Sequence, residues 1–291
     1  MMHKSSVGAS KGATFAVAFL CMAGTASADD TGAGGNACKN LPGYAALKAA
    51  LVAATATETS GLNNQMWGTI VDRDGIVCAV AFTGVNRGAQ WPGSRVISAQ
   101  KANTANAFSL DASSNSGGSG QPSGLALSTA NLYSAVQPGG SLFGLQFSNP
   151  VNDNVAYDGP SAHYGTANDP MVGSKIGGVN VFGGGLALYA VGKKIVGAIG
   201  VSGDTSCADH NIAWRVRNNL GLDHLSGVGG VSGDVARPDN IIFDIVANPD
   251  GTGGTGQAPN GSGGVGQSAS GFGHPKCLNT SASDTLPPVQ P

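Results

Sequence analysis

Residues 182–221, FGGGLALYAVGKKIVGAIGVSGDTSCADHNIAWRVRNNLG, constrain the fold more than any other stretch of the chain. Two apolar runs of strand length, 186–190 and 195–201, flank Gly192-Lys193-Lys194, a turn in which glycine makes positive φ cheap. The pattern predicts a β-hairpin. Its second run, IVGAIGV, carries Gly197 and Gly200, where another backbone or a ligand is expected to approach closely. Ser202-Gly203-Asp204 breaks the strand, and Ser206-x-x-Asp209 opens a helix in the manner of a capping box. Ile212, Ala213, Val216 and Leu220 make its apolar stripe, and Gly221 stops it. Asp209 in the first turn and Arg215 and Arg217 nearer the end suit the helix macrodipole.

This block, with IVDRDGIVCAV at 70–80 and AQKANTANAF at 99–108, resembles the GlcG/HbpS-like family of haem-binding, in some members haem-degrading, domains. The three blocks follow one another in the family's order over about 41–222. The resemblance implies a profilin-like α/β sandwich and haem, or another flat tetrapyrrole, as cofactor; it implies no settled catalytic residue. The sequence departs from the family in three places. Gly184-Gly185-Leu186-Ala187 lacks the proline that follows the glycine pair in many relatives, residues 139–178 look like an insertion, and everything after Asp223 lies beyond the resemblance.

The first 28 residues place Lys4 and Lys11 before an apolar run at 13–22 and end in Ala-Ser-Ala, the pattern of a secretory signal cleaved after Ala28. The run is about half of what a membrane span needs, and Ala-Phe-Leu before Cys21 fits a lipoprotein signal poorly. The expected product is a periplasmic or secreted protein of residues 29–291. Loss of Lys4 and Lys11 takes the formal charge from −2 to −4, which leaves no basic field for nucleic acid and no polybasic patch for membrane lipid. Cys38, Cys78, Cys207 and Cys277 remain, an even number that suggests two disulfides in an oxidising compartment. A helix over 43–58 would run about 24 Å at ~1.5 Å per residue. The strand over 66–72 would return about 23 Å at ~3.3 Å per residue. That return brings Cys38 beside Cys78 and leaves Cys207 to pair with Cys277.

Elsewhere the pattern predicts a hairpin across Asp72-Arg73-Asp74-Gly75, a helix after Pro92-Gly93-Ser94 that holds Lys101, a short helix at 125–136 and one extra strand at 240–246. Residues 139–178 are irregular yet carry Phe143, Phe147, Tyr157, His163 and Tyr164, so they are expected to pack. Residues 249–273 are rich in glycine and serine and are expected to be flexible, in a Gly/Ser-rich tail, 249–291, whose far end Cys277 can tether. The expected architecture is α+β: an antiparallel sheet of five to six strands with helices against it, in a domain over 29–248.

Two histidines are candidate metal and haem ligands. His163 sits between aromatics and glycines with Tyr164 and Tyr157 beside it, and His210 shares a helix face with Trp214. A packed or surface imidazole is the more common reading of either; His224 and His274 follow glycine-rich turns and rank lower. Lys101, among Ala102, Ala105 and Phe108, can meet a haem propionate or a small acid, or lay its stem along the core edge. Asp204 and Asp209 can serve as an acid–base pair or as helix caps. Asn154-x-x-x-Asp158-Gly159 resembles the start of a calcium loop, but position twelve is Gly165 and not an acid. Dinucleotide, phosphate-loop, zinc-protease and nucleophile-elbow signatures are absent.

Three functions follow: an exported, oligomeric haem binder whose slot is walled by strand 195–201, the Trp214 helix and the aromatic insertion; a protein acting on a small carboxylate or carbonyl compound through Lys101 and Asp204; or a sensory or structural partner subunit.

Overall fold

The computed structural model describes residues 1, 38–111, 123–245, 256–257 and 267–291. The expected signal segment lies outside the described residues apart from Met1, as does most of the stretch 249–273. Four strands, β1 (Trp67–Asp72), β2 (Val77–Phe82), β3 (Gly185–Ala190) and β4 (Lys194–Ser202), form an antiparallel sheet in the order β2-β1-β4-β3. Helix α2 (Ser94–Phe108) covers one face; α1 (Tyr44–Thr55) and α3 (Ser206–Asn219) cover the other. Two short parallel ladders, 125–126 with 229–230 and 256–257 with 267–268, stand apart from it.

Strand alternation explains the two cores. Ile70, Ala79, Ala81, Leu186, Leu188, Ile199 and Val201 join Leu47 and Leu51 of α1 and Ile212, Trp214 and Val216 of α3. Trp67, Val71, Val77, Val80 and Ala198 join Val96, Ala99, Ala102 and Ala105 of α2. The alanine stripe lets the α2 backbone descend onto the sheet. A Cβ on Gly200 would lie 1.9 Å from the Ser98 carbonyl oxygen, and one on Gly185 2.4 Å from that of Lys101. The close approach expected at Gly200 is therefore made by a neighbouring backbone, and the slot expected between β4 and Trp214 is filled by side chains.

Turn chemistry follows the sequence. Gly75 takes φ +79° and donates to Asp72 O, and Gly192 and Lys193 take +84° and +62°. Gly221, at +63°, ends α3.

Two expectations need correction. The sheet has four strands where five or six were expected, because residues 240–245 make no ladder; their polar groups bond to other loops, as in His274 N–H to Ile242 O at 2.7 Å. Residues 125–136 are not one helix. Leu125 pairs with Leu110, Thr129 N–H donates to Gly185 O, and only a 3-10 turn at Ser134–Val136 follows. Beyond the Cys207–Cys277 bridge the end of the chain packs: Leu286 and Val289 enter the core, and Trp214 Nε1 donates to Pro287 O at 2.9 Å.

Segment 139–178 seals the outer edge of β2. Val77 N–H donates to Ser174 O, and Gly173 N–H donates to Val77 O. Ala156, Met171 and Ile176 are its core residues, whereas Phe143, Phe147 and Tyr157 face outward, 59%, 82% and 64% exposed. The structure joins Cys38 to Cys78, with an S–S length of 2.00 Å, and Cys207 to Cys277, with Cα atoms 6.2 Å apart. Among the described residues no helix is long and apolar enough to cross a membrane.

Candidate functional site

The first turn of α3 meets the end of β4, the loop before β3 and the C-terminal segment at one point. A cavity of about 390 Å³ opens there, lined by Trp91, Ile97, Tyr133, Phe182, His274 and the polar stretch 202–206 with Asp209. Its rim is apolar: Trp91 is 51% and Phe182 49% exposed.

The acids of this corner are committed to the scaffold. Asp204 accepts from the backbone N–H groups of Leu62 and Asn64 at 2.8 and 2.9 Å, fixing the entry to β1. Thr205, not Ser206, is the N-cap residue, and its side chain makes no capping bond. Asp209 Oδ1 instead accepts from Asp204 N–H at 2.9 Å, and its Oδ2 pairs with Lys101 Nζ at 2.6 Å. Lys101 also donates to Val201 O at 3.1 Å and is out of solvent contact. Burial lowers the Lys101 ammonium against the attraction of Asp209, and it raises the Asp209 carboxyl to about 6 against the attraction of Lys101. Both acids touch the cavity while Lys101 lies behind them, so its ammonium is not free for a ligand carboxylate.

Ser206 is released from capping and used differently. Its Oγ accepts from Gly183 N–H at 2.7 Å and lies 2.7 Å from His274 Nε2. The other ring nitrogen, Nδ1, is 2.7 Å from Pro275 O. A carbonyl only accepts, so Nδ1 carries the proton and Nε2 receives the Ser206 hydroxyl. Burial lowers the His274 imidazolium to about 4, which keeps the ring neutral in ordinary buffers.

The candidates chosen from sequence are spread over the molecule. His163 ends an exposed 3-10 turn on segment 139–178. Tyr164 lies under Arg95, whose guanidinium carbon is 3.7 Å from the ring centroid, and its hydroxyl donates to Tyr157 O at 3.0 Å. His210 is fully buried, 3.2 Å from Asn240 Oδ1 through Nε2 and 5.9 Å from the Trp214 ring between centroids; burial lowers it to about 4. Its Nδ1 has no hydrogen-bond partner among the described residues. The structure thus pairs His210 with Trp214 and Lys101 with Asp209. His163 and Tyr164 lie elsewhere.

Trp91, Tyr133 and Phe182 were not candidates from the sequence, which read Ser206 as a helix cap and ranked His274 below His163 and His210. One signal was present: a Cys207–Cys277 bridge carries His274, three residues upstream, to the side chain preceding Cys207.

The family model described as haem degrading protein HbpS-like matches residues 44–217. No curated protein matches the chain. Among solved structures, protein ORFY of Klebsiella pneumoniae is 24% identical over 62% of this chain and 90% of its own, with a TM-score of 0.38. The PduOC:heme complex is 21% identical over 61% and 91%, with a TM-score of 0.39. A double mutant of HbpS from Streptomyces reticuli is 18% identical over 61% and 84%, with a TM-score of 0.37. The family match runs from the first residue of α1 to two residues short of the end of α3, takes in all four strands of the main sheet and stops before His274; over that length this chain belongs to the HbpS-like family of haem-degrading proteins.

Proposed function

We propose that the protein binds haem, or another planar tetrapyrrole, at the mouth of this cavity. The observation that carries the reading is His274: a neutral imidazole on a cavity wall, its Nδ1–H held by a backbone carbonyl and its Nε2 turned to a hydroxyl that a metal can displace. That arrangement is how ligating histidines are usually oriented.

The residues fit the group in two further respects. Trp91 and Phe182 offer half-exposed aromatic faces to a ring larger than the cavity, whose 390 Å³ stands near the small end for ligand pockets. The lining contains acids and no lysine or arginine, so propionates would point to solvent. Bound haem would supply a redox-active iron, and the family's description makes slow haem breakdown the activity to look for. The protein's own part is to hold the ring, orient the ligating imidazole and exclude water beneath it. A small carboxylate is a poorer occupant, because Lys101 is spent on Asp209 and the wall is acidic.

The proposal includes export, read from the signal pattern of residues 1–28 and from two disulfides suited to an oxidising compartment. It also includes a domain over 29–248 with an insertion at 139–178, and self-association across the exposed Phe143 and Phe147. Hemin titration tests the central claim. A Soret band that His274→Ala loses, and that His163→Ala keeps, supports it. No spectral change with the wild-type protein rejects it.

A further inference from the structure

We propose that Ser206 and His274 are also a nucleophile–base pair, which hydrolyses short acyl esters of small neutral or cationic aromatic alcohols in the same cavity. Nothing in the family match assigns such a site, since His274 lies outside it. The proposal stands apart from haem binding and shares with it the cavity and His274, so the two uses exclude one another at any one moment.

Four observations support it. First, the hydroxyl and the imidazole are at hydrogen-bonding distance, 2.7 Å, and the Pro275 carbonyl fixes the tautomer that leaves the Nε2 lone pair toward Ser206. A nucleophile, its base and a third group that orients the base are the parts an activated serine needs. Second, Gly183 N–H occupies one lone pair of Oγ and so fixes the direction of the hydroxyl. Third, Ser206 is the first residue of a fourteen-residue helix. The amides of residues 206–208 lack intrahelical acceptors, which leaves them available to the charge that would develop on an attacked carbonyl oxygen. Fourth, both partners are anchored by one covalent link: Cys207 follows Ser206, and Cys277 lies three residues beyond His274.

The reaction balances without a co-reactant other than water. Ser206 Oγ bonds to the acyl carbon as its proton passes to His274 Nε2, giving a tetrahedral oxyanion. The carbon–oxygen bond to the alcohol then breaks, and the leaving alkoxide takes the proton from Nε2. Water, giving its proton to the same nitrogen, cleaves the acyl-serine, releases the acid and returns the proton to Oγ. The lining selects the substrate. Trp91, Ile97, Tyr133 and Phe182 suit an aromatic alcohol, and Asp204 and Asp209 repel one that carries a carboxylate.

The test uses the full secreted chain, oxidised, with p-nitrophenyl acetate as substrate and a fluorophosphonate as label. Expected are turnover and a stoichiometric phosphonate adduct that peptide mapping places on Ser206. Ser206→Ala and His274→Ala should each lower the rate at least about 100-fold, the scale of lost general-base catalysis. Ser206→Cys, which keeps the size of the side chain, should be alkylated by iodoacetamide at that position faster with His274 present than in the His274→Ala background. No adduct on Ser206 in wild-type protein, or turnover that survives Ser206→Ala, overturns the proposal and leaves the serine as a structural tie between three segments. A chain that shows a Soret band yet forms no adduct overturns the dyad alone; adduct formation without hemin binding upholds it alone.

Discussion

Lys101 Nζ lies 2.6 Å from Asp209 Oδ2 at the junction of α2 and α3, and neither side chain is more than 3% exposed. The pair ties helices on opposite faces of the sheet around the end of β4, through Val201 O and Asp204 N–H. Removing one partner strands the other charge in the interior, so Lys101→Met is expected to cost about 3–5 kcal/mol in urea unfolding. Adding Asp209→Asn, which keeps an acceptor for Asp204 N–H, should recover much of that loss. Additive single costs would show that the two groups do not act as a pair.

Acid should weaken the fold through its histidines. His210 and His274 are buried and hold folded values of about 4 against 6.5 when free. The unfolded chain therefore takes up their protons first, and the stability they contribute above pH 6.5 is lost as pH falls toward 4. Asp209 acts the other way. Its folded value, about 6 against 3.8, makes the native state the better proton acceptor, so it gains stability as pH falls through 6. Two histidines against one carboxyl leave about one proton, or ~1.4 kcal/mol lost per pH unit between about 6 and 4. His210→Gln should nearly flatten that slope in urea melts at pH 4.5, 5.5 and 6.5; an unchanged slope would mean that His210 protonates freely in the folded state.

Gly200 marks where β4 meets α2. A methyl group there would fall 1.9 Å from Ser98 O and 2.5 Å from Ala102 N, both backbone atoms of a helix that cannot turn aside. Gly200→Ala is expected to cost about 3 kcal/mol or more by thermal melting. Gly144, at φ +92° with open space around it, is the control, since Gly144→Ala should lose only about 1 kcal/mol. Equal costs would mean that the α2 backbone yields to the added methyl group, since Gly200 has no positive φ to strain.

Much of the scaffold was legible because it is local. Apolar runs at 186–190 and 195–201, Asp-Gly at 74–75 and Gly221 are enough to place two hairpins and the end of α3. Gly200 was legible as a site of close approach, but its neighbour was not, since the alanine stripe of α2 that accepts it lies about 100 positions upstream. The helix expected at 125–136 yields to long-range bonds with residues 110 and 185, which periodicity does not register. The cavity was hidden for the same reason. Trp91, Tyr133, Phe182, Ser206 and His274 come from five separate segments, and only the Cys207–Cys277 link offered a route between two of them.

The buried pair Arg95–Asp169 fastens segment 139–178 to α2. Arg95 Nε donates to Asp169 Oδ2 at 2.9 Å, Arg95 Nη1 donates to Ala156 O at 2.6 Å, and Asp169 also accepts from Gly165 and Met171 N–H. Asp169→Ala removes the anion and four backbone or guanidinium contacts at once. Global stability should fall by about 3–5 kcal/mol, and limited proteolysis should cut within 139–178 before any site in the sheet. Cleavage starting elsewhere would mean that the segment is held by Met171 and Ile176 alone.

The Cys207–Cys277 bridge closes a separation of 70 residues and holds His274 against Ser206. Its loss by the double change Cys207→Ser, Cys277→Ser should lower stability by about 2–4 kcal/mol, chiefly by freeing the unfolded chain. A second effect is local. His274 is depressed to about 4 because it is buried, and apart from the bridge its stretch is held by single hydrogen bonds, among them His274 N–H to Ile242 O, Ser134 Oγ–H to Gly273 O and Gly273 N–H to Ser268 Oγ. Without the covalent link that stretch should leave the wall, and the imidazole should titrate near 6.5, as a solvated histidine does. NMR titration of the His274 ring in the intact and bridge-less proteins reads this directly. A value that stays near 4 without the bridge would show that packing against Tyr133 and Phe243, whose rings lie 5.0 and 6.4 Å away, holds the histidine unaided.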